Sequence, residues 1–497
     1  MVAEVTSFAF EGVEAREVTV QAHLTGGQPG FVIVGLPDKS VSEAKDRISA
    51  AFSAIGLGLP PKKITVNLAP ADLRKEGSHF DLPIALALMA EMGAIPRDAV
   101  GGMAVIGELG LDGSIAKTVG ALPAAMAANA LDLGLICSDK SGAEAAWAGE
   151  SVPLIAAPSI ISLANHFKGT QTLPAPKPGA VLTETGVPDL SEVKGQETAR
   201  RALEVAAAGG HNLLMTGPPG SGKSMMAERL PGLLPPLSLT EMLEVSMVQS
   251  VAGLIENGAL RRTRPYRAPH HSASMAAMVG GGIRAKPGEA SLAHRGVLFL
   301  DELPEFSPAV LDSLRQPLET GDILIARANA HVRYPARFQL VAAMNPCRCG
   351  SVCIRGKGCG AKYRARVSGP FLDRMDISVD TPPVSALDLT SAAEGESTAA
   401  VAARVAAARA AQEERGAINA ALGQQQLGEV ASLDEAGLGL LRRACEQLKL
   451  SARGYTRILR VARTLADLEG RDSVGRVHIA EAISFRSAEP AAEKAMG

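Results

Sequence analysis

The chain lacks the features that would place it outside a reducing compartment. Six cysteines in 497 residues are too few for a disulfide scaffold. Four of them, Cys347, Cys349, Cys353 and Cys359, fall within thirteen positions, which points to a metal site or to plain thiols. No uncharged apolar stretch reaches the roughly 20 residues of a membrane-spanning helix. Glu4 and Glu11 also break up the start of the chain, so a soluble cytoplasmic protein with no membrane partner is expected. Net charge is small, −2 at pH 7, which excludes a globally basic nucleic-acid coat and confines any such contact to local patches. Global disorder is excluded by 46% hydrophobic and 21% charged residues. A chain of 497 residues exceeds one core and predicts roughly two to four domains.

Against this background, Gly217-Pro218-Pro219-Gly220-Ser221-Gly222-Lys223-Ser224 fits the pattern G-x-x-x-x-G-K-[ST] and follows an apolar run, Leu213-Leu214-Met215. Such a loop turns backbone N–H groups around a polyphosphate, sends its lysine to the β/γ-phosphates and offers its last hydroxyl to Mg²⁺. The run Gly296 to Leu300 is a second apolar strand, ending in Asp301 and Glu302. An ATPase needs two carboxylates there, one for its metal and one for the attacking water. ATP and Mg²⁺ are therefore expected ligands.

Residues 1–168 read as an α+β unit, with strands near Glu17–Gln21, Phe31–Val34 and Lys63–Leu68, an amphipathic helix over Val41–Ile55 and a buried helix over Leu82–Met92. Lys75 to Pro83, with Gly107-Glu108-Leu109 and Gly120-Ala121-Leu122, resembles the Lon-type proteolytic domain, which implies a ribosomal-protein-S5-like fold. Aligning Gly77 with that family's glycine puts His79 in the place of the nucleophilic serine. After Leu122 come Pro123, Ala124 and Ala125, with no lysine base, so an inactive domain is expected. Residues 169–188 form a linker, Pro-rich at Leu173 to Pro178. The motor module is expected at 189–383, entered by a helix over Glu197–Ala208, and a helical lid at 384–497. The Ala399–Ala411 run is expected as a surface helix.

Nearly eighty residues separate the two ATPase strands, which requires an insertion. From Asn257 to Gly288 it holds no Asp or Glu, while Arg261, Arg262, Arg264, Arg267, Arg284 and Lys286 are positive. Such a segment is either a solvated face or a grip on phosphate backbone. His270 and His271, with His294, could suggest a metal site, but adjacent side chains in extended chain point apart. Ile323–Ile325 and His331–Tyr334 read as a hairpin. The strand Phe338–Ala343 runs into Asn345, where a ring ATPase keeps a polar residue on the attacking water. Ser368 to Asp376 carries Arg374 in the place of a trans-acting finger.

Pro265 to Ser274, Pro287 to Phe306 and Asn345-Pro346-Cys347-Arg348-Cys349-Gly350 resemble the Mg-chelatase-like AAA+ proteins of the YifB/ComM family, over essentially the whole chain. The resemblance implies a parallel sheet flanked by helices, a helical lid, and hexamers that use ATP to drive DNA branch migration in natural transformation. It also implies roles: Lys223 and Ser224 for phosphate and Mg²⁺, Asp301 for Mg²⁺, Glu302 for activating water, Asn345 for orienting it, and Arg374 for the neighbour's γ-phosphate. Arg453, opening a helix after Ser451, is implied as a second nucleotide-sensing arginine, with its own or a neighbour's nucleotide left open.

The four cysteines have spacing C-x-C-x3-C-x5-C, which suits a tetrahedral Zn²⁺ as well as a reduced, metal-free loop. No acid occurs from Asn345 to Leu372, so Arg355, Lys357 and Lys362 could turn this loop toward DNA. Three functions stay open at this point. They are a DNA motor of branch-migration or helicase type, a metallation motor like the magnesium-chelatase ATPase subunit, and a protein-remodelling machine.

Overall fold

The computed structural model describes residues 2–183, 186–282, 285–327, 330–350, 358–384, 395–448 and 450–486. The N-terminal part is built on a seven-stranded mixed sheet in the order Gly30–Val34, Lys63–Ala69, Glu14–Thr25, Ala3–Glu11, Met103–Val105, Gly134–Ser138, Leu154–Ala157. Strand alternation explains its inner face: Val18, Val20 and Ala22 are buried between more exposed neighbours. Asp81–Glu91 lies between this sheet and the helix Ala44–Ala54 and is buried along nearly its whole length. The segment read as one helix over Val41–Ile55 is two, Lys39–Ser42 and Ala44–Ala54. Asp38 caps the first, its carboxylate accepting from the Val41 N–H, and the chain restarts after Glu43.

The second sheet has five strands in the order Tyr266–Arg267, Val297–Leu300, Gln339–Met344, Leu213–Thr216, Ile377–Asp380, every pair parallel. Its central strands are apolar on both faces because helices cover both sides. Helices Thr398–Glu414, Glu435–Leu448, Ala452–Leu468 and Arg476–Ser484 share one core with the helix Glu197–Gly209. The alanine-rich helix is therefore more than a surface element: Val401, Val405 and Ala408 are buried against the motor core.

Several contacts tie the two parts together. Glu144 is buried and its carboxylate accepts from Ser250 Oγ (2.5 Å), while the Trp147 indole N–H donates to the Gly258 carbonyl (2.8 Å). Val13 packs with Val332 and Tyr334 of the hairpin formed by Asp322–Arg327 and Ala330–Pro335. The approach at Gly12 is so close that a Cβ there would lie 2.5 Å from the Arg333 carbonyl oxygen. The Pro-rich stretch leads into Val181–Leu182, which pairs with Leu260–Arg261 of the insertion. Among the described residues no helix is long and apolar enough to cross a membrane.

Candidate functional site

The phosphate loop leaves the carboxyl end of the strand Leu213–Thr216 and enters the helix Lys223–Leu233. Gly217 has no room for a side chain, since a Cβ would meet Thr381 at 2.1 Å. Gly222 closes the loop at φ 86°, a left-handed turn that glycine adopts without strain. Ser221 Oγ lies 3.0 Å from Thr381 Oγ1 and fixes the loop's flank, while Pro218, Pro219 and Gly220 form its outer turn.

Ser224 Oγ donates to Asp301 Oδ2 at 2.7 Å, so the hydroxyl and carboxylate that suit Mg²⁺ stand side by side. Lys223 is buried, and its ammonium donates to the carbonyls of Gly217 and Pro218 (2.8 Å each) and to Asn345 Oδ1 (3.3 Å). Burial holds Lys223 below the usual lysine pKa, with Asp301 opposing. Asp301 Oδ1 accepts from the Glu302 N–H (2.8 Å). Glu302 sits at φ 52°, left-handed for a non-glycine residue, and its carboxylate meets His271 Nδ1 at 3.1 Å. Lys223, Ser224, Asp301, Glu302 and Asn345 are thus gathered at one end of the sheet. Beside them a cavity of about 570 Å³, lined by Gly195, Gln196, Asp380, Pro382 and Phe485, has room for the nucleoside of a bound nucleotide.

Arg374 is elsewhere. It precedes the strand Ile377–Asp380, and its carbonyl accepts from the side-chain amide of Asn212, the residue before the phosphate-loop strand (2.9 Å). With Leu213 paired to Ile377 and Thr216 to Asp380, Arg374 stands at the amino ends of the strands and the phosphate loop at their carboxyl ends. Arg374 is nine-tenths buried, donates to the Pro370 carbonyl (2.8 Å) and pairs with Glu319. Arg453, 64% exposed, approaches the same carboxylate at 3.8 Å. Both line a cavity of about 910 Å³ whose wall, among the described residues, carries eight arginines against four carboxylates.

The basic insertion is less uniform than its composition. Arg261 and Arg262 are exposed. Arg264 is not: its guanidinium binds the carbonyls of Pro235 and Arg295 and pairs with Glu241 (3.1 Å). Arg267 is held by both oxygens of Glu289 (2.6 and 2.7 Å). Lys362 is exposed on the helix Cys359–Arg364, whereas Arg284, Arg355 and Lys357 lie outside the described residues. The two adjacent histidines do not point apart, since their rings lie 4.0 Å from each other. His294 is buried separately, against Glu244 and the Arg337 N–H.

Cys347, Cys349 and Cys359 bring their sulfurs within 4.8 Å of one another, and Cys349 and Cys359 are 3.8 Å apart. Cys353 lies outside the described residues. Arg348 and Arg366 of this region both reach Glu305, and Gly350 sits beside Pro219 of the phosphate loop. In the N-terminal part Ser78 Oγ is held by Glu108, His79 is buried with Nε2 on the Phe8 carbonyl (2.8 Å), and buried Lys75 donates to the Pro70 carbonyl. No base is recorded on the Ser78 hydroxyl among the described residues.

Sequence reasoning passed over two partners, Glu319 for the arginines and His271 for Glu302. Neither has a spacing signal, because each contact is made only by folding.

Family models match along the chain: "Magnesium chelatase, subunit ChlI" over residues 189–389, "Subunit ChlI of Mg-chelatase" over 20–140 and "Magnesium chelatase, subunit ChlI C-terminal" over 395–486. The chain is 44% identical over 494 residues to competence protein ComM of Haemophilus influenzae, covering 97% of each. The chain belongs to the ComM/YifB family. It is likewise 43% identical over 482 residues to YifB of Escherichia coli, covering 96% of this chain and 95% of that one. Its likeness to the magnesium-chelatase 38 kDa subunit of Rhodobacter capsulatus is more limited: 30% identity over 173 residues, covering 31% of this chain and 49% of the relative. Family and fold together make the motor part an ATP-binding, Mg-chelatase-like AAA+ module.

Proposed function

We propose that the chain is an ATP-hydrolysing motor that assembles as a homo-hexameric ring on single-stranded or branched DNA. Its work in this reading is branch migration, with helicase action, during uptake and recombination of DNA in natural transformation. The supporting observation is the division of the site between two edges of one sheet. Lys223, Ser224, Asp301, Glu302 and Asn345 stand at one end of Leu213–Thr216, and Arg374 and Arg453 at the other. Four residues of strand span about 13 Å, so one chain does not complete its own site and an adjacent copy supplies the arginines.

Lys223 binds the β/γ-phosphates, and Ser224 and Asp301 hold Mg²⁺, whose charge offsets that of the triphosphate when it is bound. Glu302 takes the proton of the attacking water, which Asn345 orients, and the neighbour's Arg374 stabilises the charge developing on the transferred phosphoryl group. Arg453, beside Arg374, acts on the neighbour's nucleotide as well. Exposed Arg261, Arg262 and Lys362, with Arg355 and Lys357, contact DNA phosphates.

Cys347, Cys349 and Cys359, with Cys353, hold a structural Zn²⁺. The 3.8 Å between two of the sulfurs fits two corners of a tetrahedron with Zn–S bonds of about 2.3 Å.

The chelatase family models favour a second reading, a metallation motor, but the likeness to the R. capsulatus chelatase subunit covers 31% of the chain, against 97% for the competence protein. Turnover of ATP separates the readings: stimulation by single-stranded or forked DNA supports the first, and stimulation only by a chelatase partner overturns it.

A further inference from the structure

Glu302 carries an ion-pair partner that its role as a base does not require. His271 Nδ1 lies 3.1 Å from Glu302 Oε2, and the His271 ring is seated between His270, 4.0 Å away by ring centroid, and the edge of Phe306, at 6.5 Å. Phe306 is fully buried, so this side of the imidazole rests on a fixed surface. His270 Nδ1 is itself held by Ser272 Oγ at 2.8 Å, which shapes the turn. The pair is therefore built from a defined loop.

That loop continues directly from the strand Tyr266–Arg267, which is in register with Val297 and Leu298 of the strand that ends at Asp301 and Glu302. It belongs to the insertion that lacks any acid from Asn257 to Gly288 and exposes Arg261 and Arg262. One short segment thus joins a polyanion-attracting surface to the carboxylate at the phosphate site.

A carboxylate oxygen that accepts an imidazole N–H has that lone pair occupied, and hydrogen bonding to the ionised form makes it a poorer proton acceptor. We infer that His271 restrains Glu302, and that engagement of the insertion by the phosphodiester backbone of DNA withdraws His271 and frees the carboxylate to accept the proton of the attacking water. The inference rests on the reading of Glu302 as the water-activating base. DNA then raises kcat by releasing a base already in place, and ATP binding is unchanged.

The test is steady-state ATP hydrolysis by the full chain, with and without a single-stranded oligonucleotide, for three variants. His271→Phe keeps a ring against His270 and Phe306 but removes the N–H. His271→Gln keeps a donor. Glu302→Gln tests the underlying reading. Restraint predicts that His271→Phe raises basal kcat about fivefold, leaves KM for ATP unchanged and shrinks the stimulation by DNA by the same factor, while His271→Gln stays close to the natural chain. If Glu302→Gln is inactive and His271→Phe matches the natural chain or loses kcat in both conditions, the restraint is overturned and the base assignment stands. If Glu302→Gln turns over normally, the base assignment falls and the restraint falls with it. A variant melting below the natural chain without nucleotide is replaced by His271→Leu, read by the same two outcomes.

Discussion

The side-chain amide of Asn212 donates to the carbonyl of Arg374 at 2.9 Å. Through its own N–H and its side-chain oxygen, Asn212 also binds Asp376 (3.2 Å) and the Leu340 N–H (2.8 Å). One residue thereby pins the amino ends of three neighbouring strands and fixes Arg374 a full strand length from the phosphate loop of its own chain.

Arg374→Ala is accordingly expected to bind ATP within about threefold of the natural affinity and to hydrolyse it about 10³-fold more slowly, since the arginine acts on charge formed in the transition state. Mixing it with Lys223→Ala creates interfaces that hold both intact residues, and activity returns in part. A flat mixing curve between subunits that exchange would remove the shared site.

Lys223→Ala is expected to weaken ATP binding at least tenfold, and Glu302→Gln to leave binding intact while lowering turnover 10²-fold or more. Equilibrium binding of a fluorescent nucleotide separates the two, and normal turnover by the Glu302 variant contradicts its role.

The cysteine cluster is expected to carry about one Zn²⁺ per chain, and Cys347→Ser with Cys349→Ser to lose it. Elemental analysis of protein purified without chelators decides the matter: no zinc means a plain thiol loop.

DNA affinity is expected to fall steeply with salt, and the Arg261→Ala, Arg262→Ala double variant to flatten the log–log slope by up to about 2, one for each lost phosphate contact. Arg264→Ala behaves differently. Its guanidinium is engaged by Glu241, Pro235 and Arg295, so it costs about 2 kcal/mol of stability and leaves the slope near its natural value. Equal effects on slope from all three would contradict this division.

Acid should destabilise both parts of the chain. Burial pushes the imidazoles of His79 and His294 down to about 4, below the unfolded value of 6.5, so each is neutral in the folded protein. A base whose folded pKa is depressed contributes its stability fully above the unfolded value and loses it as pH falls from 6.5 toward 4. The loss is about 2 to 3 kcal/mol per histidine at pH 4.5. Urea unfolding followed across this range should show it, and His79→Gln should flatten the N-terminal share. An unaltered pH dependence in that variant would place the titration elsewhere.

The sequence made the phosphate loop legible because its chemistry is local: glycines, lysine and serine sit within eight positions, and two apolar runs supply the parallel strands around them. Arg261, Arg262, Arg264 and Arg267 were readable as one positive segment but not as two kinds of residue. The partners of Arg264 and Arg267, Glu241 and Glu289, come from 23 and 22 positions away, and no periodicity links them. The break at Glu43 was hidden for another reason: apolar spacing carries across it, and only the cap made by Asp38 interrupts the backbone. The buried stripe Val401, Val405, Ala408 was masked by the surrounding alanines, whose small side chains permit close helix packing and equally suit an exposed helix.

Val13 lying against Val332 and Tyr334, with Gly12 pressed to the Arg333 carbonyl, bears on how the chain could be divided. Severing it within the Pro-rich segment would not release two ready-made pieces. The motor fragment would lose its cover over the hairpin's apolar face and its strand beside Leu260–Arg261, and would expose Ser250 without Glu144. The seam in composition is thus not a seam in mechanics: a swing of the hairpin drags the N-terminal sheet with it or peels away from it.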